Sequence, residues 1–363
     1  MRVGILGGGQ LGRMMAQEAH RLGLTPVIYT PHMACACEVT DQVVIAPYED
    51  QEALRRFAES VDVCTFEVEH VPLEAVELVA RVTPVHPNPA ALAPTRDRLL
   101  EKRMLRESGI PTAPFVEVST PAQARAVGDA LGYPALLKIR TGGYDGRGMA
   151  LVHSADEAEA AFAELGLPCI AEGWVPWTRE VSVIGVREIG GRLSFYVPGE
   201  NHHEDGILRS CVVPAPGLSA EQRMLLERQV GELMAQLDYV GVMAVEYFDT
   251  PDGLVANEIA PRVHNSGHWT QDGAVTSQFE NHVRAIAGLP AGDVALRAPT
   301  AMVNIIGTLP GPAVVLAEPS WRLHLYGKSE RAGRKIGHIN ACAADAEALA
   351  PVLEALRAVC DAR

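Results

Sequence analysis

The stretch that decides the fold is Leu136-Leu137-Lys138-Ile139-Arg140-Thr141-Gly142-Gly143-Tyr144-Asp145-Gly146-Arg147-Gly148, an apolar strand that carries one lysine and runs into a loop with four glycines. Glycines let backbone N–H groups approach phosphate oxygens, and Lys138 and Arg147 supply positive charge. A lysine in an apolar strand is costly to bury unless an anion meets it. The segment therefore predicts a polyphosphate site, with a glycine-rich surface hairpin as the alternative.

Composition and charge exclude several classes of protein. The chain has 363 residues, 48% hydrophobic and 21% charged, which is typical of a globular protein of about two or three domains. The formal net charge of −14 argues against general attraction to nucleic acid or anionic membranes. Seven scattered cysteines form neither a disulfide framework nor a C-x-x-C zinc site, and no apolar run suits a signal peptide or a membrane span. We expect a cytoplasmic protein with no nucleic-acid or membrane partner.

Alternating strand and helix patterns predict an α/β fold that begins with a doubly wound parallel sheet. The predicted strands of this domain are 3–6, 26–29, 42–46 and 61–66, and the predicted helices are 13–22, 51–60 and 73–80. We place this N-terminal domain at residues 1–100.

Two further regions follow the proline-rich connector at 84–94. A charged helix at 96–108 precedes a strand–helix–strand–loop–strand–helix–strand order, which predicts a compact α+β lid over residues 101–180. Residues 181–363 predict a larger mixed-sheet domain with a small extension from about 300. Its predicted helices are 220–237, with Ser219 and Gln222 at capping-box spacing, and about 345–359, broken at Pro351.

The first glycine loop is a weaker signal. Gly7, Gly9 and Gly12 match the dinucleotide fingerprint between a strand and a helix, so a dehydrogenase has to be considered. The second strand ends in Thr30-Pro31, with no acidic residue for a ribose hydroxyl and no arginine for a 2′-phosphate. We therefore expect a helix N-terminus whose exposed N–H groups suit one substrate phosphate, or simple close packing at Gly12.

Two glutamates across a predicted hairpin indicate a metal site. Strands 242–248 and 254–259 flank a turn, and symmetry about Asp252 places Glu246 opposite Glu258, with Cβ atoms about 5 Å apart. Such like charges cost stability unless a cation or proton intervenes, and magnesium bound to a polyphosphate would remove the conflict. The alternatives are two solvated glutamates or a shifted register. Apolar flanks and the following Arg262 and His264 favour the site.

Together these features resemble the ATP-grasp superfamily: Lys138 before a glycine loop, the segment 171–175, Glu180, and the Glu246/Glu258 pair. Within it, longer strings are similar to the family of 5-(carboxyamino)imidazole ribonucleotide synthetases of purine biosynthesis. These strings are Gly9-Gln10-Leu11-Gly12 and the segments 141–148, 201–207, 260–270 and 333–338. The resemblance implies a ligase that uses ATP, Mg²⁺ or Mn²⁺, bicarbonate and 5-aminoimidazole ribonucleotide, forms carboxyphosphate, and works as a homodimer.

The resemblance also implies residue roles by position. The residues implied to hold ATP are Arg98, Lys138, Gly143, Tyr144, Asp145, Gly146, Arg147, Gly148 and Met149 at the phosphates, Glu172, Gly173, Trp174 and Val175 along the adenine, Glu180 and His203 near the ribose, and Asn257 and Glu258. Those implied to bind metal are Glu246 and Glu258. Those implied to act in catalysis are Asp145, Arg147, Arg262 and Lys335. Those chosen for aminoimidazole ribonucleotide are Gly9, Gln10, Glu67, Glu69, His264, Arg334 and Lys335.

Alternatives remain at several positions. Glu67 and Glu69 share a strand face and solvation would also explain them, and Arg334 and Lys335 also fit a surface turn. Many ATP-grasp enzymes carry asparagine where this chain has Ala260. Rival functions are another ATP-grasp ligase, such as the formate-dependent glycinamide ribonucleotide transformylase, and a non-catalytic nucleotide-binding regulator.

Overall fold

The computed structural model describes residues 1–143 and 146–361, and three β-sheets organise them. The strands are β1 (Arg2–Leu6), β2 (Thr25–Thr30), β3 (Val43–Ile45), β4 (Val63–Phe66), β5 (Phe115–Val118), β6 (Ala135–Ile139), β7 (Met149–Val152), β8 (Cys169–Gly173), β9 (Arg179–Arg187), β10 (Leu193–Phe195), β11 (Gly199–Glu204), β12 (Ile207–Val213), β13 (Gly241–Thr250), β14 (Gly253–Ala260), β15 (Thr300–Ile306), β16 (Trp321–Leu325) and β17 (Lys335–Cys342).

The α-helices connect and cover these sheets. They are α1 (Gln10–Arg21), α2 (Gln51–Glu59), α3 (Leu73–Ala80), α4 (Pro89–Thr95), α5 (Arg98–Glu107), α6 (Pro121–Arg125), α7 (Val127–Leu131), α8 (Ala155–Leu165), α9 (Ala220–Gln236), α10 (Thr270–Gly273), α11 (Gln278–Ile286), α12 (Pro312–Leu316) and α13 (Leu349–Asp361). Short 3₁₀ turns lie at Cys35–Val39 and Asn265–Gly267.

The N-terminal sheet is parallel, in the order β3-β2-β1-β4, which confirms the predicted α/β class. Its strands β1, β2 and β4 are short apolar runs buried on both faces, as parallel strands covered by helices require, and the edge strand β3 is partly exposed. Helix α1 begins at Gln10, directly after the glycine loop, rather than at the predicted Arg13. The carboxyl ends of these strands and the start of α1 therefore meet at one edge of the sheet.

The lid sheet is antiparallel, in the order β5-β8-β6-β7. The element order is the predicted one, except that the single helix expected between the first two lid strands is two short helices, α6 and α7, which meet at Ala126. Buried aliphatic residues of β6, β8 and α8 form a small separate core under this sheet. The Lys138 strand is thereby anchored beside the glycine loop.

The third sheet has nine strands in the described chain, seven of them ordered β14-β13-β9-β11-β12-β15-β17 with β16 at the end and β10 added on β9. Its C-terminal strands continue the same sheet, because β12 pairs with β15. Helix α9 has the predicted capping box at Ser219 and Gln222. The break expected at Pro351 is wrong: α13 starts at Leu349, so this proline lies in the first turn, where its missing N–H leaves no bond unmade.

Within residues 1–143 and 146–361, none of the helices has the length and apolar character needed to cross a lipid bilayer.

Candidate active site

The β13–β14 hairpin places Glu246 directly opposite Glu258, as the sequence predicts, but by a different route. The turn is tighter than assumed, since Thr250 pairs with Gly253. That register alone would place Asn257 opposite Glu246. A β-bulge between Glu246 and Tyr247 shifts the pairing by one residue and makes the two glutamates face each other.

Glu246 is buried beside a second carboxylate, and both conditions disfavour its charge. Burial and the neighbouring Glu258 raise the pKa of Glu246 to about 8, against the opposing charge of His203. The Asn201 amide donates to Glu246 Oε1 at 3.3 Å, and His264 Nδ1 lies 3.8 Å from the same oxygen. Two facing carboxylates that resist ionising together are suited to a divalent cation, so these residues fit the predicted metal.

Glu180 and His203 lie next to the Glu246/Glu258 pair and form an acidic cluster with it. They lie on the neighbouring strands β9 and β11, with Glu180 Oε2 2.9 Å from His203 Nδ1. One donor atom each from Glu180, His203 and Glu246 lies within 4.8 Å of the others. Burial acts to lower the pKa of His203, but Glu180 and Glu246 outweigh it and raise that pKa. The neighbouring carboxylates therefore favour the protonated imidazole of His203.

Lys138 is buried against Glu172 on the lid sheet. Its Nζ lies 2.9 Å from Glu172 Oε2, and Lys102 Nζ of α5 lies 3.5 Å from Oε1. Burial acts to raise the pKa of Glu172, but the two lysines bring it to about 2. Lys102 was not predicted from the sequence, although Leu99, Lys102 and Leu105 share the three-residue spacing of a buried helix face.

The glycine loop of the lid contacts the large sheet. A Cβ on Gly146, which has φ +76°, would lie 2.5 Å from the carbonyl oxygen of Asp205 in the β11–β12 turn, so glycine is required there. Arg98 Nη2 donates to the Gly143 carbonyl at 3.3 Å. Arg147 is exposed on this loop, next to Gly148, and Met149 begins β7. The predicted residues Tyr144 and Asp145 lie outside the described residues.

The segment predicted to run along an adenine links the lid to the large sheet. Gly173 donates its N–H to Pro114 O at 2.8 Å, and Trp174 donates to Pro134 O at 3.3 Å. The Trp174 side chain is 52% exposed, and Val175 follows it half-buried. The N–H groups of Gly173 and Trp174 are thus already used by the protein itself.

The first glycine loop holds a carboxylate of the protein. Gly9 N–H donates to Glu67 Oε1, and Gly12 N–H donates to Oε2 at 2.9 Å. A Cβ on Gly7, at φ +113°, would lie 2.3 Å from Glu67 Cγ, so the glycines make room for this side chain. Glu67 therefore occupies the Gly9 and Gly12 N–H groups, two of those expected to be exposed for a substrate phosphate. Solvation of Glu67 is wrong, since this side chain is 3% exposed.

Basic residues surround the same edge of the N-terminal sheet. Arg262 Nε lies 2.5 Å from Glu69 Oε2; burial would raise the pKa of Glu69, but Arg262 lowers it to about 2. The Lys328 ammonium, which was not predicted from the sequence either, donates to Gln10 Oε1. Lys328 belongs to no motif that can be recognised in the sequence, and its hydrogen-bond partner Gln10 lies 318 positions away.

His264, Lys335 and Arg334 differ in their surroundings. His264 Nδ1 lies 2.9 Å from Ser266 Oγ, and burial followed by the charges of Arg262 and Lys335 lowers the His264 pKa well below its usual value. Lys335 also acts on Glu246, which places it beside the acidic cluster. Arg334 instead donates to Ser329 O and Oγ at 3.2 and 2.8 Å. Lys335 thus acts electrostatically on Glu246, whereas the Arg334 guanidinium is hydrogen-bonded to Ser329.

Comparison with known proteins identifies the family. Residues 1–95 match the ribonucleotide synthetase preATP-grasp domain, residues 103–279 the ATP-grasp domain, and residues 300–351 the phosphoribosylaminoimidazole carboxylase C-terminal domain. The chain is 46% identical over 364 residues to the N5-carboxyaminoimidazole ribonucleotide synthase of Pseudomonas aeruginosa, covering 100% of both. The chain belongs to the N5-carboxyaminoimidazole ribonucleotide synthase family.

Solved structures of this synthase family share the whole fold. The Thermus thermophilus synthetase superposes with a TM-score of 0.94 at 45% identity, with 98% of each chain covered. A synthase from Aspergillus clavatus, in complex with ADP and 5-aminoimidazole ribonucleotide, superposes with a TM-score of 0.91 at 34% identity, covering 100% of this chain and 99% of that one. The ATP-grasp resemblance inferred from sequence is confirmed.

Proposed function

We propose that the chain is an ATP-dependent carbon–nitrogen ligase that carboxylates 5-aminoimidazole ribonucleotide with bicarbonate to give 5-(carboxyamino)imidazole ribonucleotide, ADP and phosphate. The observation that carries the proposal is the match over the whole chain to a synthase solved with both ADP and 5-aminoimidazole ribonucleotide. The identity to curated synthases supports the same reaction and does not favour the formate-dependent alternative.

ATP would lie between the lid and the large sheet. Lys138 and Arg98 would meet its phosphates, and the loop that includes Gly146 would cover them; Lys138 now binds Glu172, and Arg98 donates to Gly143 of that loop. Glu172 to Val175 would line the adenine, with Glu180 and His203 at the ribose. Support comes from the two buried lysines that share the Glu172 carboxylate, because the site then keeps one positive charge for a phosphate.

Magnesium, with manganese as a substitute, would be held by Glu246 and Glu258, with Asn257 alongside. When bound, the ion would neutralise charge on the transferring phosphates. The pKa of Glu246, raised to about 8 by burial and by Glu258, supports this assignment because a cation would relieve the conflict.

The reaction would proceed in two displacements. A bicarbonate oxygen attacks the terminal phosphorus of ATP, and ADP leaves; the resulting carboxyphosphate is then attacked at carbon by the amine of the ribonucleotide, which loses a proton as phosphate leaves. Arg147, Arg262 and Lys335 would offset the charges on these groups, together with Asp145. A lid that excludes water would protect carboxyphosphate from hydrolysis.

The ribonucleotide would bind at the edge of the N-terminal sheet. Gln10, Glu69, His264 and the basic residues Lys335 and Arg334 are its proposed contacts. Glu67 would act by fixing the loop that carries Gly9 and Gln10, since its carboxylate already accepts both loop N–H groups. Lys328, which donates to Gln10, would add positive charge for the ribonucleotide phosphate.

A substrate-matrix assay of ADP release tests the proposal. We expect release only when aminoimidazole ribonucleotide and bicarbonate are both present, and none above background with glycinamide ribonucleotide and formate. The reverse pattern would reject the proposed reaction. Glu258→Ala should abolish release with the fold retained by circular dichroism; a variant that retains full activity would favour a role outside catalysis.

We also propose that the enzyme is a homodimer and works in the cytoplasm. The dimer is carried from the family resemblance, and all seven cysteines are free, as a reducing compartment would keep them. Light scattering coupled to size exclusion tests the dimer, and a monomeric mass at micromolar concentration would reject it.

A further inference from the structure

Two consecutive charged residues of α5, Glu101 and Lys102, are buried, and neither is among the site residues predicted from the sequence. Glu101 is 4% exposed and Lys102 is 1% exposed. A buried charge is retained only where it is paired and hydrogen-bonded, because its desolvation is otherwise too costly. Their partners therefore show what these side chains hold in place.

Both side chains bind the backbone of β14 on either side of Glu258. Lys102 Nζ donates to Asn257 O at 2.6 Å and to Ala256 O at 3.3 Å. Glu101 Oε1 accepts from Ile259 N–H at 2.7 Å. Helix α5 thus binds strand β14 through three backbone groups that flank Glu258.

Glu258 directly follows the β-bulge that makes it face Glu246. Tyr247 pairs with Ala256 and Glu246 with Glu258, so Asn257 is the extra residue. An extra residue leaves backbone groups without ladder partners, and a one-residue slip would turn Glu258 to the other face. The carbonyl groups of Ala256 and Asn257, which flank the slip, are those that Lys102 binds.

Lys102 also reaches the lid. Its Nζ lies 3.5 Å from Glu172 Oε1, while Lys138 Nζ lies 2.9 Å from Oε2. If Lys138 turns to a phosphate, Lys102 remains as the counter-charge of the buried Glu172. One side chain thereby connects the lid strand to the strand that carries Glu258.

We propose that Glu101 and Lys102 are positioning residues of the metal–nucleotide site: they hold the bulge of β14 so that Glu258 faces Glu246, and Lys102 leaves Lys138 available for phosphate. This inference rests on the proposed binding of magnesium nucleotide. It assigns to Glu101 and Lys102 a role in the reaction without contact to substrate.

Calorimetric titration with ADP, once with Mg²⁺ and once with EDTA, separates this role from a general loss of structure. Glu101→Met removes the acceptor for Ile259 N–H, and we expect Mg·ADP to bind about tenfold more weakly, as for one lost buried hydrogen bond. In EDTA its affinity should stay within about twofold of wild type, because the bulge serves the metal. Glu101→Gln keeps an acceptor oxygen and should restore Mg·ADP binding.

Lys102→Met should weaken ADP binding about tenfold in EDTA, because Glu172 then competes for Lys138, and more than tenfold with Mg²⁺, because the bulge carbonyls of Ala256 and Asn257 also lose their donor. Equal Mg·ADP affinity in Glu101→Met and wild type would overturn the inference. Equal losses of Mg·ADP affinity in Glu101→Met and Glu101→Gln would also overturn it, as would a loss of ADP affinity in Glu101→Met that is as large in EDTA as with Mg²⁺. A wild-type protein that binds ADP equally with and without Mg²⁺ would reject the proposed metal site as well, so the two failures are distinguishable.

Discussion

Replacing Glu246 by glutamine should stabilise the metal-free protein while abolishing its activity. The wild-type carboxyl has a pKa of about 8 in the folded state because of burial and Glu258, against 4.5 for the ordinary group. An acid whose pKa is raised from 4.5 to about 8 on folding adds its full contribution to the free energy of unfolding below pH 4.5. That contribution is lost as the pH rises to 8. At pH 7 the loss is up to about 3 kcal/mol, and at pH 5 it is less than about 1 kcal/mol.

Glu246→Gln carries no such loss, so its free energy of unfolding in EDTA should exceed that of wild type by up to about 3 kcal/mol at pH 7, with most of the gain gone at pH 5. Urea unfolding at the two pH values measures this difference. Glu204→Gln, an exposed substitution on β11, is the matched control and should change stability by less than about 0.5 kcal/mol.

Magnesium and ADP should reverse the order. Only wild type retains both carboxylates, so only its melting temperature should rise on addition of Mg·ADP over ADP with EDTA. A Glu246→Gln variant less stable than wild type in EDTA, or a gain that is equal at pH 5 and pH 7, would refute the electrostatic conflict from which the metal site is inferred.

Three further predictions concern the lid and the packing between domains. Gly146→Ala should lower kcat/KM at least about tenfold because its Cβ meets the carbonyl of Asp205, whereas Gly142→Ala, at φ +80° with nothing within 4 Å, carries only the backbone strain; equal losses would remove the role of that contact. Lys138→Met should raise the Kd for ADP in EDTA about tenfold or more, and an unchanged Kd by calorimetry would exclude phosphate contact. Burial lowers the pKa of His282 to about 3, so wild type should lose about 1 kcal/mol of unfolding free energy relative to His282→Gln between pH 7.5 and 5.5 in urea unfolding, and a constant difference would contradict this.

The parts of the fold that depend on local pattern could be predicted from sequence. The parallel N-terminal strands, the lid order and the capping box at Ser219 each follow from residues close together in the chain. The facing glutamates were also predicted, but the assumed symmetric turn was replaced by a tighter turn and a bulge. The sequence around Asn257 contains no residue type that would predict a β-bulge at this position.

The missed features depend on partners distant in sequence. Glu67 lies 58 positions beyond Gly9, so the glycine loop alone cannot show whether a substrate phosphate or a carboxylate of the protein fills it. Lys102 lies 155 positions before the carbonyl of Asn257 that it binds. Its apolar spacing with Leu99 and Leu105 could have indicated burial, but the charged composition of α5 favoured a solvated helix.

The most direct test of the metal site is anomalous difference density for Mn²⁺ in crystals grown with ADP. We predict a peak coordinated by carboxylate oxygens of both Glu246 and Glu258. A peak bound to Glu180 and His203 alone, or the absence of any peak next to Glu246 and Glu258 with ADP bound, would contradict the central claim.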